Sequence, residues 1–320
     1  MKKKFIICTT AITRGLYHRE SIGLLYDRFN KYLYDYEVIH IINIDQPPKL
    51  LNHFSISQTI ELLNKIIPKN ITKIIIENNQ PSFLSAFKNI MYKIEELNLN
   101  SEENIFWWLE DDWQPKRDYN IINLLELFNL KNTAINFSEK SNLGSFSAGP
   151  LMSGSYFINF FNIEKIGVMN KTCDPEKQVR RWLSGIKKTN GNQMIERVLG
   201  DNKTIQIVFV FLGKEKIQPK EIPFYYYKNK LKFNENIKFE FHLIRADFDF
   251  KNISHAQINP VDNKFNLTSI TKTDLLKKYN NDNITYFTIK PKIFEDIGRI
   301  FNEKNNLKKW ATITDKTTYL

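Results

Sequence analysis

Phe106-Trp107-Trp108-Leu109-Glu110-Asp111-Asp112-Trp113 joins four apolar residues directly to three acids. A short apolar run bounded by charge predicts a strand buried on both faces, here residues 104–109. Three carboxylates in a row repel one another, and in low dielectric they need a counter-charge to stay ionised. A divalent cation is the obvious partner, because Mg²⁺ and Mn²⁺ favour hard oxygen ligands. A solvated acidic turn at a strand end is the plainer alternative.

Strand and helix alternate upstream of this segment. Residues 4–9 read as an apolar strand, followed by a loop with Arg14 and Gly15. Residues 20–33 predict a helix, with Ile22, Leu25, Phe29 and Leu33 on one face. Residues 37–44 predict a strand that Asp45-Gln46-Pro47-Pro48 ends, since two prolines forbid its continuation. A helix then starts at Ser55 and stops before Pro68. A strand over 71–76, the loop Asn78-Asn79-Gln80-Pro81, and a helix capped by Ser82 complete the pattern. Nearly continuous apolar strands alternating with helices predict an α/β fold with a mostly parallel sheet and flanking helices. Ligands of such sheets bind beyond the carboxyl ends of the strands. Thr9, Thr10, Asp45, Asn78, Asn79 and Glu110-Asp111-Asp112 are all expected on that edge.

Downstream the pattern loosens. A helix is expected over 121–130, a strand over 132–137, a Gly/Ser-rich loop over 142–154 and a strand over 156–160. Helices over 175–183 and 192–199 and a strand over 205–212 follow. After Lys214 the strand-like runs 222–227, 238–244 and 284–289 are separated by polar stretches, and 291–302 predicts a last helix. The expected organisation is an α/β domain over 1–212 and an α+β extension over 213–320.

The chain has 320 residues and a formal net charge of +11. That charge fits nucleic acid, an anionic membrane surface or an anionic substrate, but it also fits a plain lysine bias, because no Lys/Arg block reaches five residues. Cys8 and Cys173 are too few for a disulfide framework. No run approaches the roughly 18 apolar residues of a membrane span. The start, Met-Lys-Lys-Lys, precedes too short an apolar segment for a secretory signal. A cytoplasmic location is therefore expected.

Leu109-Glu110-Asp111-Asp112 resembles the acidic motif of the GT-A glycosyltransferases, above all the large bacterial-type inverting family 2. The surroundings extend the resemblance over residues 1–181. Residues 5–10 resemble the first strand of that fold. Ile41-Ile42-Asn43-Ile44-Asp45 resembles the second strand and the aspartate that touches base or ribose. Asn79, Ala86 and Asn89-Ile90 resemble the asparagine-bearing helix before the metal motif. Ser153-Gly154-Ser155-Tyr156-Phe157 resembles the acceptor segment, and Pro175-Glu176 with Arg180-Arg181 resembles the helix start that carries the catalytic base. The motif opens with Glu110 where the family usually has Asp, and Asp174 and Glu176 flank Pro175 where the family pairs Glu with Asp.

The resemblance implies transfer of a sugar from a nucleotide diphosphate sugar to a carbohydrate or other hydroxyl acceptor, with Mn²⁺ or Mg²⁺ and inversion at the anomeric carbon. It implies Glu176 as base with Asp174 as fallback. It places Thr9, Thr10, Asp45, Asn79, Glu110 and Asp111 at the donor and Asp112 on the metal. Family members often add a histidine from the C-terminal part, for which His255 in a polar loop is the better candidate than His242. Trp113, Ser153, Trp182 and Arg180 are acceptor-side candidates. Asp247-Phe248-Asp249 is a weaker rival metal pattern, otherwise a solvated turn. Two alternatives stay open: a nucleotidyltransferase-like enzyme, disfavoured by a single glycine and arginine between Thr9 and Gly15, and a basic non-catalytic nucleic-acid-binding module. A nucleic-acid acceptor is not favoured.

Overall fold

The computed structural model describes residues 2–46, 54–78, 82–118, 120–121, 123–124, 130–137, 151–160, 204–217, 238–259, 262, 264–291, 293–298, 301 and 304. The fold is α/β, built on one mixed, mostly parallel sheet of 11 strands.

The amino-terminal strands are β1 (Lys4–Ile12), β2 (Glu37–Asp45), β3 (Thr72–Asn78) and β4 (Ile105–Glu110). They lie in the order β3-β2-β1-β4, all parallel. Their side chains divide between two apolar layers, as a period of two requires. Phe5, Ile7 and Trp107 face one layer, and Ile6, Cys8 and Trp108 the other. The strand expected to be buried on both faces is so: Trp107 and Trp108 are fully buried, on opposite faces. Helices cover both faces. Leu25 and Phe29 of α1 (Leu24–Phe29) and Leu63 of α2 (Ile56–Ile66) join the first layer; Phe87, Ile90 and Ile94 of α3 (Phe83–Glu96) join the second.

The helix starts follow local chemistry. Ser55 and Gln58 form a reciprocal capping box at α2. The Ser85 N–H donates to the Ser82 hydroxyl at α3.

The sheet continues through β6 (Thr133–Asn136), β7 (Leu151–Ser153), β8 (Thr204–Leu212), β9 (Lys238–Ala246), β10 (Ile253–Gln257), β11 (Thr268–Ile270) and β12 (Ile284–Lys290). Past β4 the order is β7-β6-β12-β8-β9-β10-β11. Strand β7 runs antiparallel between β4 and β6; β6, β12, β8 and β9 point the same way as β1–β4. Strand β12 therefore sits inside the sheet, between β6 and β8. The boundary expected after Leu212 does not separate two sheets, because the carboxy-terminal third completes the first one.

Three local expectations are corrected. Residues 156–160, read as a strand, belong to helix α4 (Gly154–Phe160), and the end of the expected loop is strand β7. His255, read as lying in a loop, is in β10. The start of the expected last helix is instead β13 (Phe294–Asp296), which pairs antiparallel with β5 (Trp113–Pro115). Among the described residues no helix is long and apolar enough to cross a membrane.

Candidate functional site

Strand order reverses at β1: β2 and β3 lie on one side of it and β4 on the other. A crevice opens at the carboxyl ends where order reverses, and this is where open α/β sheets bind ligands. The register brings Ile12, Asp45 and Asn78 level across β1, β2 and β3, and Glu110 level with Thr10. Thr10, Asp45, Asn78 and the acidic turn thus share one edge.

The crevice between β1 and β4 holds a buried ion cluster. Arg14 donates from Nε to both oxygens of Asp111, each at 3.1 Å, and from its second terminal nitrogen to Asp112 Oδ2 at 3.0 Å. The Ile12 N–H and His18 Nε2 also donate to Asp111 Oδ2, at 3.0 and 3.1 Å. Burial works against the charge on Asp111; Arg14, His18 and the Ile12 amide outweigh it and hold its pKa below the usual carboxylate range. Burial likewise opposes the charge on Arg14, but Asp111, Asp112 and Glu110 raise its pKa. Asp112 differs. Burial pushes its pKa up to about 7 despite Arg14, and the charges of Asp111 and Asp296 add to the rise. Its Oδ1 is buried with no hydrogen-bond partner among the described residues.

The carboxy-terminal end of the described chain closes over this cluster. The Ile297 N–H donates to the Asp112 carbonyl at 2.8 Å. The Phe301 ring lies 5.4 Å from the Arg14 guanidinium carbon, a cation–π contact. Gly298 packs so close that a Cβ there would overlap Asp112 Oδ2.

Asp45 is buried and committed to its own surroundings. It accepts from Asn43 Nδ2 at 2.8 Å and from the Ser82 N–H at 3.0 Å, and so ties β2 to the start of α3. Asn89 of α3 in turn donates to Asn43 Oδ1. Burial raises the Asp45 pKa to about 7, against the pull of Asn78, Asn43 and Ser82. Thr9 is turned inward, with Oγ1 2.8 Å from His40 Nε2, and Tyr26 holds the other ring nitrogen. Burial lowers the His40 pKa to about 3, so this chain is neutral. Glu110 is the half-buried acid of the turn.

The other candidates scatter. Trp113 is half-buried and packs against the apolar layer, with Asp296 opposite it in the ladder. Ser153 pairs with Ile105 at the opposite, amino edge of β4, about 17 Å along the strand from Glu110 at roughly 3.3 Å per residue. There it caps structure, accepting from the Thr133 and Tyr156 N–H groups. It lies at the amino edge of the sheet, away from the β1/β4 crevice. His255 lies six strands from β4, about 29 Å along the sheet at roughly 4.8 Å per strand. Its Nε2 is 3.2 Å from His242 Nδ1, and burial, first of all, lowers both pKa values to about 4. The structure does not bring His255 to Asp112. Asp247 closes its own turn, accepting from the Lys251 and Asn252 N–H groups and from Asn252 Nδ2. Asn79, Asp174, Glu176, Arg180 and Trp182 lie outside the described residues.

Mn²⁺ or Mg²⁺ finds a poor donor set here. Among the described residues no three His, Cys, Asp or Glu side chains stand close enough together to hold an ion. Both Asp111 oxygens and one Asp112 oxygen already face Arg14, so of the four oxygens of that pair only Asp112 Oδ1 is not turned to it. A hard cation takes about six oxygens. The described residues do not fit a divalent ion, and the counter-charge that the acids require is Arg14. Sequence reasoning missed Arg14 and His18. The available signal was a cation in the first strand–helix loop, which a parallel sheet places on the same edge as the acids.

No protein-family model matches the chain, and no curated protein matches it.

Proposed function

We propose that the chain is a glycosyltransferase that moves a sugar from a nucleotide diphosphate sugar to an acceptor hydroxyl. The observation that carries this reading is the acidic turn Glu110-Asp111-Asp112 at the β1/β4 reversal, on the edge shared with Thr10, Asp45 and Asn78. Arg14 holds the turn in shape by bonding Asp111 and Asp112. Glu110, the half-buried acid of the turn, is the candidate to meet the ribose or sugar hydroxyls of the donor. Asp45 supports the loop that borders the base. The described carboxylates do not fit a metal ion.

A thermal-shift screen of UDP-, GDP-, CMP- and dTDP-sugars, with and without Mn²⁺, tests the reading. One nucleotide class is expected to raise the melting temperature, and Glu110→Gln to reduce that rise. A flat response to all four, in either condition, removes the support for a nucleotide-sugar site.

A further inference from the structure

A second charged groove lies on the same edge of the sheet, away from the β1/β4 crevice. It has a volume of about 750 Å³ and is formed where β8, β9 and β11 end. Strand β8 is four strands from β4, about 19 Å along the sheet at roughly 4.8 Å per strand. The two sites are therefore separate.

The groove is built from the ladder outward. Ser254 of β10 pairs with Arg245 of β9 on one side and with Ser269 of β11 on the other. Register partners share a face of the sheet, so a guanidinium and two hydroxyls form one row across three strands. One pair further along the same face, the ladder is Leu243 opposite Ala256, both buried and apolar. The change from apolar to cationic and hydroxylic falls at the carboxyl edge. Lys214 after β8, Lys251 in the β9–β10 turn and Lys272 after β11 complete the lining.

The charges do not cancel locally. Four cations line the groove against one carboxylate, Asp247. That carboxylate is saturated by the amides of its own turn. Lys251 reaches Asp249 at 3.7 Å, an exposed pair of little strength. Asp274, at the start of helix α5 (Lys272–Tyr279), is turned to Thr271 and Lys277. Among the described residues Lys214, Arg245 and Lys272 have no carboxylate partner. The turn after β8 depends on Gly213, whose φ of +65° favours glycine and where an added Cβ would overlap the Phe248 ring.

We infer that this groove binds a phosphate group of an anionic ligand, with Arg245, Lys214 and Lys272 supplying charge and Ser254 and Ser269 supplying hydroxyl donors. Arginine presents paired N–H donors that match phosphate oxygens, and lysines add point charge. Hydroxyls beside them make the site directional as well as cationic. The inference stands without the transferase reading: it needs only the groove, its charge and the row of donors. The phosphate could belong to a nucleotide or to a phosphorylated carbohydrate, and the two sources can be told apart.

Isothermal titration of the full chain with pyrophosphate, at about 0.15 M salt where long-range attraction is screened, tests the site. One saturable site is expected. Arg245→Ala and Lys272→Ala should each weaken it about ten-fold, as expected for losing a charge-assisted hydrogen bond. Arg245→Lys should recover part of the loss, and Lys3→Ala, an exposed lysine on the opposite edge, should change nothing. All three residues, Arg245, Lys272 and Lys3, are exposed, so folding is retained. Absence of saturable heat at about 5 mM ligand overturns the inference, and so does an equal loss in Lys3→Ala. UDP supplies the second arm. Tighter UDP than pyrophosphate, lost in Arg245→Ala, assigns the phosphate to a nucleotide; equal affinity assigns it to the phosphate alone, as a phosphorylated sugar would present it. The donor reading at the acidic turn is measured separately by Glu110→Gln, so either proposal can fail alone.

Discussion

Arg14 bonds two carboxylates at once, and all three side chains are buried. The energetics of such a buried cluster are asymmetric: forming it gains little net stability, but removing one partner strands a charge. Among the described residues, Arg14→Ala leaves Asp111 with His18 and the Ile12 amide. It is expected to cost about 3–5 kcal/mol in urea unfolding. Arg14→Lys keeps the charge but cannot bridge both acids with a planar fork, so it should fall between the two. Unchanged stability in Arg14→Ala would mean that the cluster is not formed in solution. Asp112 gives a second test at this scale, through pH. Its folded pKa of about 7 lies above the ordinary carboxylate value of 3.8. The stability linked to that carboxyl is therefore complete below about pH 4 and is lost as pH rises through about 7. Asp112→Asn removes the titration while keeping an oxygen for Arg14. Its stability relative to the parent should be more favourable at about pH 8.5 than at about pH 5. A pH-independent difference sinks the assignment. The acids themselves were legible in the sequence because they are contiguous. Their counter-charge was not, since Arg14 precedes Asp111 by 97 residues and only the parallel pairing of β1 with β4 brings them together.

Elements with local signals were readable and those made by distant pairing were not. Helices α2 and α3 start where Ser55 and Ser82 say they should, because a cap is satisfied within three residues. Strand β7 has three residues and exists because β4 and β6 flank it. Strand β13 exists because β5 pairs with it, although the stretch reads as helix by itself. The fit of β13 and its following turn to the acidic cluster can be tested at Gly298. Gly298→Ala must move either that turn or Asp112, and overpacking of this kind costs roughly 1–3 kcal/mol. Gly23 makes the control: its nearest neighbours to an added Cβ are at 3.8 Å, and it lies in helical backbone. Gly23→Ala should be neutral or mildly stabilising by about 0.4–1 kcal/mol. Paired urea unfolding of the two variants decides the matter, and equal effects would show that Gly298 is not in close contact with Asp112.

At the scale of the whole molecule, the question is whether residues 1–212 form a unit. Composition changes after Lys214, which suggested a boundary there. The sheet has a different logic. Strand β12 enters between β6 and β8, and β9 pairs along the other side of β8. A chain ending at Leu212 would keep β8 but lose both of its neighbours, and β6 would keep only β7. The same cut removes β13, Gly298 and Phe301 from above the Arg14 cluster. Buried strands left unpaired expose backbone donors and acceptors together with apolar side chains, which favours aggregation. The fragment 1–212 is therefore expected to lack a single cooperative transition in urea and to elute as aggregates. The full chain should unfold cooperatively with one dominant midpoint. A monomeric fragment with a sharp transition near the parental midpoint would restore the boundary at Leu212. It would also show that β3-β2-β1-β4, with β6 and β7, is a sufficient core. A fragment that folds only on addition of residues 213–320 in trans would place the deciding interactions in β12 and β9, where the topology puts them.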